Sequence, residues 1–347
     1  MPPQTRIAAV TGANKGIGLA IGAPLHPAPH TTPPPPFLII ITIPQSQPRP
    51  SSALTPTKKK KKVRNLALAY PASALARDNA PLLIYLTARS APRGLAALEA
   101  LHADPSLASA KVLARDGGPV SLAFQPLDVG DAASIDAFAA QLRAAHGRVD
   151  VLVNNAGVAM DGFGAAVARG TLRTNYWGAV RAMLAVLPLV RAARTGRVVN
   201  VASAAGALGK YSDGLRERFR DAAEAAAGTG EEVVAPTDAI MREFEEGVEA
   251  GDHEKKGFPS AAYAVSKAGL IGATRAVGLW EKSEAEKEGR PVRAVNSCCP
   301  GWVNTDMTKG KGTRSVDEGA KTPVFLALGD LDGVVGEFWR DEKVVEW

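Results

Sequence analysis

Runs of mostly apolar residues recur along the chain, and each run ends at a polar residue or a glycine-rich turn. The clearest are residues 7–10, 82–88, 149–153 and 197–203. A short apolar run bounded by turn residues is typical of a buried strand. The pattern therefore predicts a set of buried strands, each followed by a turn that carries glycine or polar side chains.

The turn after the first predicted strand is rich in glycine and spans residues 11–18, Thr-Gly-Ala-Asn-Lys-Gly-Ile-Gly. Gly12 permits a tight turn, Gly16 lets a backbone approach a pyrophosphate, and Gly18 allows close helix packing. The N–H groups of the following helix N-terminus then face the anion. The spacing is G-x-x-x-G-x-G, and such a turn on its own only suggests a dinucleotide site.

Tyr263 and Lys267 lie four positions apart, which places both side chains on one face of a helix. A free tyrosine loses its proton near pH ~10, so a phenol that exchanges a proton at neutral pH needs a neighbour that lowers its pKa. The lysine ammonium is such a neighbour. Pairs at this spacing also occur on ordinary amphipathic helices, with the ring packed inward and the amine in solvent, so the pair alone leaves both interpretations open.

Together these motifs resemble those of the short-chain dehydrogenase/reductase family, and further matches follow in the family's order. Residues 154–157, Asn-Asn-Ala-Gly, follow a strand as the family's NNAG motif does. Asn175 matches the family's helix asparagine, and Ser203 closes a strand where the family keeps its catalytic serine. Pro300-Gly301 and Thr305 resemble the segment that closes over the nicotinamide.

Within that family the chain resembles the monomeric carbonyl reductases. Residues 298–303 and 316–323 resemble their signatures, and the ending at Trp347 also fits. Ser203 and Tyr263 are 60 positions apart, and carbonyl reductases carry a similar helical insertion there. In those proteins the insertion covers the surface that other relatives use to form dimers and tetramers, so the resemblance implies a monomer.

The resemblance implies an α/β fold, a doubly wound parallel sheet of the Rossmann type. We expect seven parallel strands with helices on both faces, in one reductase domain that spans residues 1–347. The helical insertion occupies residues 204–262, before the catalytic tyrosine. The composition of residues 212–249 is helix-like, and breaks near Gly228 and Pro236 predict two short helices.

The expected cofactor is NADPH. A 2′-phosphate needs cationic partners, whereas a free 2′-hydroxyl is usually met by an acidic side chain after the second strand. Here that strand is followed by Arg89, and Lys15 precedes Gly16; both match positions that bind phosphate in NADPH-preferring relatives, although each could instead be a solvated surface charge. Asp128 resembles the aspartate that contacts the adenine ring, but a lone acid at a strand end can equally cap the next helix.

The full set of cofactor contacts implied by the resemblance lies on the turns that follow the strands and on the catalytic helix. It consists of Gly12, Asn14, Lys15, Gly16, Ile17, Gly18, Arg89, Asp128, Asn154, Ala156, Gly157, Tyr263, Lys267, Pro300, Gly301, Val303 and Thr305.

The implied reaction is hydride transfer from the nicotinamide to the carbonyl carbon of a ketone, aldehyde or quinone, while Tyr263 donates a proton to the oxygen. Ser203 binds that oxygen, Lys267 lowers the pKa of the tyrosine and binds the nicotinamide ribose, and Asn175 holds a water that links the lysine to solvent. Without the family resemblance, Ser203 would be interpreted as a strand-end hydroxyl bonded to its own loop, and Asn175 as a helix side chain bonded to backbone.

Residues 22–62 depart from the family. The first helix should continue after Ile21, but the chain enters a tract with 11 of its 25 prolines and no acidic residue, which ends in five lysines. Proline cannot continue a helix. Helix-like sequence resumes at Val63, and joining Ile21 to Val63 restores a continuous helix. We expect the insert to be disordered and hypothesise that it is translated intron sequence.

The same tract accounts for the basic net charge of +6. It holds six of the 41 basic residues, so the remaining basic residues balance the 35 acidic ones. An excess confined to one tract with little aromatic interleaving argues against nucleic-acid and membrane-surface partners. The five-lysine run could be a nuclear localisation signal or a solvated run. The apolar residues 37–43 are too few to span a bilayer, which needs about 20, and no signal peptide precedes the nucleotide turn.

Cys298 and Cys299 are the two cysteines, and their adjacency disfavours an unstrained disulfide between them. A reducing compartment, and hence a cytoplasmic location, is the simplest expectation. The thiols are either small buried apolar groups or targets for glutathione and electrophiles. The five histidines are scattered, so no metal site is predicted.

Two functions are therefore carried forward from the sequence. The first is an NADPH-dependent reductase acting on a small carbonyl compound. The alternative is a catalytically dead product, or a cofactor-binding regulator with the same fold, disabled by residues 22–62.

Overall fold

The apolar runs form the strands of one sheet in the computed structural model, which describes residues 6–11, 39–41, 62–76, 80–193, 195–225 and 227–347. The strands are β1 (Arg6–Thr11), β2 (Ile39–Ile41), β3 (Leu82–Ala88), β4 (Val120–Pro126), β5 (Val151–Asn154), β6 (Arg197–Val201), β7 (Ala294–Cys299), β8 (Phe338–Arg340) and β9 (Lys343–Val344). β5, β6 and β7 are buried at every position, as expected for strands covered on both faces.

The order of the parallel strands is that of a doubly wound sheet. From one edge it runs β4, β3, β1, β5, β6, β7, β8, and β9 lies antiparallel beside β8. The chain builds outward from β1 through β3 and β4, then starts again at β5 on the other side. In such sheets ligands bind outside the carboxyl ends of the strands, at the point where the order of successive strands reverses. The predicted fold class, with seven parallel positions, is confirmed.

Helices cover both faces of this sheet. They are α1 (Lys62–Ala69), α2 (Ala91–His102), α3 (Pro105–Ser109), α4 (Ala132–His146), α5 (Ala165–Leu172), α6 (Ala179–Val186), α7 (Asp213–Glu224), α8 (Ala235–Ala250), α9 (Ala262–Glu288) and α10 (Val316–Leu328). α10 packs with α1, while α9 packs with α5, α6, α7 and α8. Because α9 and α10 both contact β6 and β7, these two groups lie on opposite faces.

β1 and β2 pair with the same two neighbouring strands and so have the same position in the sheet. Both run parallel between β3 and β5, and Ala9 and Ile40 both pair with Tyr85 and with Leu152. In a parallel ladder each residue directs its backbone N–H and C=O groups to one neighbouring strand, and these groups can bond only one strand at that position. The two segments therefore compete for the same hydrogen bonds.

Most of residues 22–62 lies outside the described residues. Within the tract, residues 39–41 form β2, so the expected disorder does not extend to these three isoleucines, whose β-branched side chains favour strands. α1 starts at Lys62, beside the point where helix-like sequence was predicted to resume. It is fixed to α10 by Arg64, whose guanidinium lies 2.7 Å from the carboxylate of Asp317.

Two helices occupy the predicted insertion between Ser203 and Tyr263. They are α7 and α8, with a short 3-10 helix (Gly230–Val234) between them. Pro236 lies in the first turn of α8 and does not break a helix, because the first N–H groups of a helix have no intrahelical partner to lose. Both helices pack against α9.

The helices of the described part of the chain include none with the length and apolar character that a membrane crossing requires.

Candidate active site

The predicted catalytic residues meet at the carboxyl ends of β5, β6 and β7. Asn154 is the last residue of β5, Ser203 lies two positions after the end of β6, and Cys299 ends β7. β6 pairs with both β5 and β7, so the three strand ends are neighbours. α9 supplies Tyr263 from its first turn and Lys267 from the next.

The loop after β6 lies directly on α9. Gly206 ends a short 3-10 helix (Ala204–Gly206), and a Cβ atom at this position would lie 2.6 Å from the backbone nitrogen of Ala268. A residue with a side chain would push the loop away from the helix. The glycine thus permits the close approach that brings Ser203 to Tyr263.

Ser203 makes the contact with its own loop that the sequence offered as the alternative to a catalytic role. Its Oγ accepts a hydrogen bond of 3.1 Å from the backbone N–H of Ala205, which caps the short helix. The same hydroxyl shares a hydrogen bond with the phenol of Tyr263. The serine is half-buried, so it is a loop-capping residue that also faces the tyrosine.

The pKa of Tyr263 departs from the expectation in direction. Burial raises it from 10.0 to about 12, against the lowering effect of the Ser203 hydrogen bond, and the nearby Cys299 thiol also raises it. The prediction that Lys267 brings this pKa below its ordinary value is therefore wrong for the ligand-free chain. The loss of hydration outweighs the other influences, because a phenolate is the form that a buried site disfavours.

Lys267 is almost fully buried, with 3% of its surface exposed. Its Nζ donates a 2.8 Å hydrogen bond to the backbone oxygen of Val201, at the end of β6. The same atom lies 5.9 Å from the centroid of the Tyr263 ring. Burial lowers the pKa of Lys267 to about 8, although the neighbouring Cys298 and Cys299 thiols oppose that shift.

Asn175 lies in a π-helical turn (Arg173–Gly178) that joins α5 to α6. Its side chain is fully buried and binds the backbone of Val158 twice, accepting from the N–H at 2.7 Å and donating to the oxygen at 2.9 Å. The amide also donates to the hydroxyl of Ser266 at 3.1 Å. Since the Nδ2 hydrogens already have these two acceptors, the water predicted here would bind at Oδ1 or at the backbone of the π-helical turn.

Gly157 lies beside the Asn175 and Lys267 side chains. A Cβ atom there would be 3.3 Å from Oδ1 of Asn175 and 3.6 Å from Nζ of Lys267. Its missing side chain leaves the lysine approachable from the strand ends. Its neighbour Ala156 is buried.

Asn154 takes a different place from the one implied by the motif. Its Nδ2 donates to the backbone oxygen of Ala179 at 3.1 Å and to Oδ1 of Asn200 at 2.9 Å, inside the core. The Nδ2 group of the side chain therefore links β5 to β6 and α6.

Arg89 and Asp128 face each other at the carboxyl ends of β3 and β4. Nε of Arg89 lies 4.0 Å from Oδ2 of Asp128, and the arginine side chain is 40% exposed. Asp128 also accepts a 2.9 Å hydrogen bond from the N–H of Gly130 in its own loop. The arginine predicted for a phosphate and the aspartate predicted for an adenine ring thus occupy one surface.

The segment after β7 turns sharply next to the catalytic helix. Pro300 is followed by Gly301, whose φ of +81° lies in the left-handed region that glycine tolerates. The N–H of Gly301 donates to Sγ of Cys299 at 3.3 Å. Val303 is buried and pairs through its backbone with Arg314, so the segment closes on itself as a loop.

Thr305 belongs to the same loop. Its N–H donates to the hydroxyl of Thr308 at 3.0 Å, and that hydroxyl donates to the oxygen of Val303 at 2.8 Å. Farther along, Nζ of Lys309 lies 2.6 Å from Oδ1 of Asp161, which ties the loop to the one that follows β5. These two loops therefore border the site together.

The predicted pyrophosphate contacts, Gly12, Asn14, Lys15, Gly16, Ile17 and Gly18, lie outside the described residues. Two contributors were not singled out from the sequence. Val158 offers only its backbone, which no sequence signal marks. Ser266 lies inside the Tyr263–Lys267 motif, and its small polar side chain on the same helix was the available signal.

Comparisons with known proteins show which family the chain belongs to. The model of the family described as short chain dehydrogenase matches residues 94–213. Carbonyl reductase (NADPH) 1 of Bos taurus is 37% identical over 272 residues, which cover 76% of this chain and 88% of the relative. The Homo sapiens protein of the same name is 37% identical over 285 residues, covering 79% of this chain and 93% of the relative.

Among solved structures, salutaridine reductase from Papaver somniferum superposes with a TM-score of 0.65 at 24% identity, over 96% of this chain and 99% of the other. At that identity the likeness concerns the fold.

Proposed function

Because the chain belongs to the short-chain dehydrogenase/reductase family and is similar to its carbonyl reductases, we propose that it reduces a ketone, aldehyde or quinone to the alcohol with NADPH. The supporting observation is that, near the carboxyl ends of the strands, Ser203 is hydrogen-bonded to Tyr263, Lys267 to the backbone of Val201, and Asn175 to Ser266. These side chains come from three separate elements, namely the loop after β6, the π-helical turn and α9, and the proposed reaction needs all of them in one place.

In the proposed reaction the carbonyl carbon gains a hydride and its oxygen gains a proton. NADPH supplies the hydride when bound. Tyr263 donates the proton, and a pKa of about 12 keeps its phenol protonated at neutral pH, which suits a donor. Ser203 lies against the phenol and donates a hydrogen bond to the same substrate oxygen, so the charge that develops there is shared between two hydroxyl groups.

Lys267 returns a proton to the site. A group exchanges protons most effectively when its pKa is close to the working pH, and burial brings the pKa of this ammonium down to about 8. Asn175 holds the neighbouring backbone of Val158 in place. We propose that a water bound at the π-helical turn completes the path from the lysine to solvent.

The residues present suit NADPH at two points. Arg89 is partly exposed beside the end of β3, where it can contact a 2′-phosphate. Gly157 leaves open the approach to Nζ of Lys267, the atom proposed to bind the nicotinamide ribose. We propose that Asp128, the backbone of Asn154 and Ala156, and the loop of Pro300, Gly301, Val303 and Thr305 complete the cofactor site. Residues 12–18 would hold the pyrophosphate.

We further propose that the protein is a cytoplasmic monomer. α7 and α8 cover α9, as expected if the insertion replaces a subunit interface. Cys298 and Cys299 are both buried and neither forms a disulfide bond, which is consistent with a reducing compartment.

A second candidate is supported by the sheet itself. β2 belongs to the insert, and it competes with β1 for the backbone of β3 and β5. The predicted pyrophosphate turn follows β1, whereas β2 is followed by Thr42-Ile43-Pro44. A chain with β2 in this position would keep the fold and lose cofactor binding. It would then be a dead product or a regulator.

Turnover assays separate the two candidates. The full chain and a form that lacks residues 22–62 are purified and tested for NADPH oxidation with quinones, aromatic ketones and aldehydes. The reductase proposal predicts turnover by the shortened form with at least one class. No NADPH consumption by either form with any of them would contradict it, and equal turnover by both forms would remove the second candidate.

A further inference from the structure

The insertion contacts the catalytic region through one face of α8. Met241 and Arg242 lie three and four positions after Asp238, and Glu245 lies four and three positions after them, so all four share that face. The residues they meet are Tyr176 and Trp177, the two that directly follow Asn175, and Gly269 of α9. α8 is thus in contact with the turn that carries a proposed catalytic side chain.

Tyr176 and Asp238 form the shortest link between the two elements. The phenol donates to Oδ1 of Asp238 at 2.6 Å. The tyrosine is fully buried, and the carboxylate side chain is 16% exposed. Burial raises the pKa of both groups, and the hydrogen bond from the phenol opposes the shift at Asp238. A buried hydrogen bond to a carboxylate is stronger than one between neutral groups.

A second contact reinforces the first. Nε1 of Trp177 donates to Oε2 of Glu245 at 3.4 Å. The guanidinium of Arg242 lies 5.4 Å from the centre of the Trp177 ring and within 3.7 Å of the other oxygen of Asp238. One face of α8 therefore contacts the consecutive side chains of Tyr176 and Trp177.

These contacts act on a stretch of backbone that ordinary helical bonding does not fix. A π-helical turn carries an extra residue and often marks a functional site. Tyr176 is held from two sides, because a Cβ atom at Gly269 would lie only 3.0 Å from its ring. Movement of Tyr176 would shift Asn175, whose amide must reach both Val158 and Ser266.

We propose that Asp238 is a positioning residue for the reaction, which it serves by holding Tyr176 and hence the Asn175 turn. The inference rests on the proposed reductase function. It assigns to the insertion a role inside the active site, in addition to any covering of the surface of α9.

The test uses the full chain with Y176F, D238N and the double variant. E243Q is the matched control, since Glu243 lies on α8 but pairs with Arg218 at the surface. We expect each single variant to lower kcat about tenfold, the effect of one hydrogen bond to a charged group, with KM for NADPH unchanged. The double variant should be no slower than Y176F, because Y176F removes the bond and D238N removes only the charge of its acceptor. E243Q should match the wild type.

Unchanged kcat in both single variants, or a loss in E243Q of the same size, would overturn the role of Asp238. Hydrogen exchange of residues 172–178 is measured on the same samples. If the wild-type chain has no turnover, the function proposal fails separately and exchange decides the inference. Faster hydrogen exchange of residues 172–178 in Y176F and D238N, with E243Q unchanged, supports the positioning role of Asp238. Equal exchange in all of the variants contradicts it.

Discussion

Nζ of Lys267 donates a 2.8 Å hydrogen bond to the backbone oxygen of Val201. Val201 ends β6, and Ser203 follows it by two positions. The lysine of α9 is therefore fixed to the strand that delivers the serine, and both approach Tyr263 from the same strand end. This bond couples the two halves of the proposed proton path.

The pH dependence of carbonyl reduction should follow Lys267. Its pKa is lowered to about 8 by burial, so the ammonium that returns the proton is present below that value and is lost as the pH rises through it. Tyr263 stays protonated over this range because its pKa is about 12. We expect kcat for reduction, measured across this range at saturating NADPH, to be constant on the acid side and to fall on the alkaline side.

The K267M variant checks whether Lys267 causes the decrease in kcat on the alkaline side. It should lower kcat and abolish the decrease near pH 8. A fall that persists in K267M would show that a group other than Lys267 causes it.

Arg89 should determine the choice between NADPH and NADH. R89A removes the cation at the end of β3, so NADPH should bind roughly ten- to a hundredfold more weakly, while NADH binding changes little. Fluorescence titration with each cofactor measures both constants. R93A, at an exposed position of α2, is the control and should leave both unchanged. Equal weakening of the two cofactors in R89A would show that the arginine does not bind the 2′-phosphate.

Ile40 offers a direct test of the competition between β1 and β2. Proline has no backbone N–H to give to a ladder, so I40P should release β2 from its position between β3 and β5. We expect tighter NADPH binding by the full chain, in the direction of the form that lacks residues 22–62. S46P, in the same tract but outside β2, is the control. Identical affinities of I40P, S46P and the wild type would exclude strand competition.

The fold was predictable, and candidate catalytic residues could be proposed, because both depend on local signals. Ser203 closes an apolar run, and Tyr263 and Lys267 share a helix face by their spacing. The direction of the Tyr263 pKa shift was not predictable, because it depends on burial by elements distant in the sequence. The inward orientation of Asn154 likewise depends on Asn200, a partner 46 positions away.

Other features had no local signal at all. Asp238 is 62 positions from Tyr176, and nothing in the composition of α8 marks one acid among several as its partner. β2 was hidden because the prolines and lysines around it dominate the tract, although three consecutive isoleucines favour a strand. Sequence patterns thus indicated which residues are candidates for the chemistry, and tertiary contacts decide how they are held.

The most direct test of the proposed function is single-turnover hydride transfer in the chain that lacks residues 22–62, with Tyr263 and with Y263F. The proposal predicts that Y263F binds NADPH as tightly as the parent form and transfers hydride to an aromatic ketone at least about a hundredfold more slowly, since a proton donor is lost. Hydride transfer by Y263F at the parent rate would show that Tyr263 is not the proton donor.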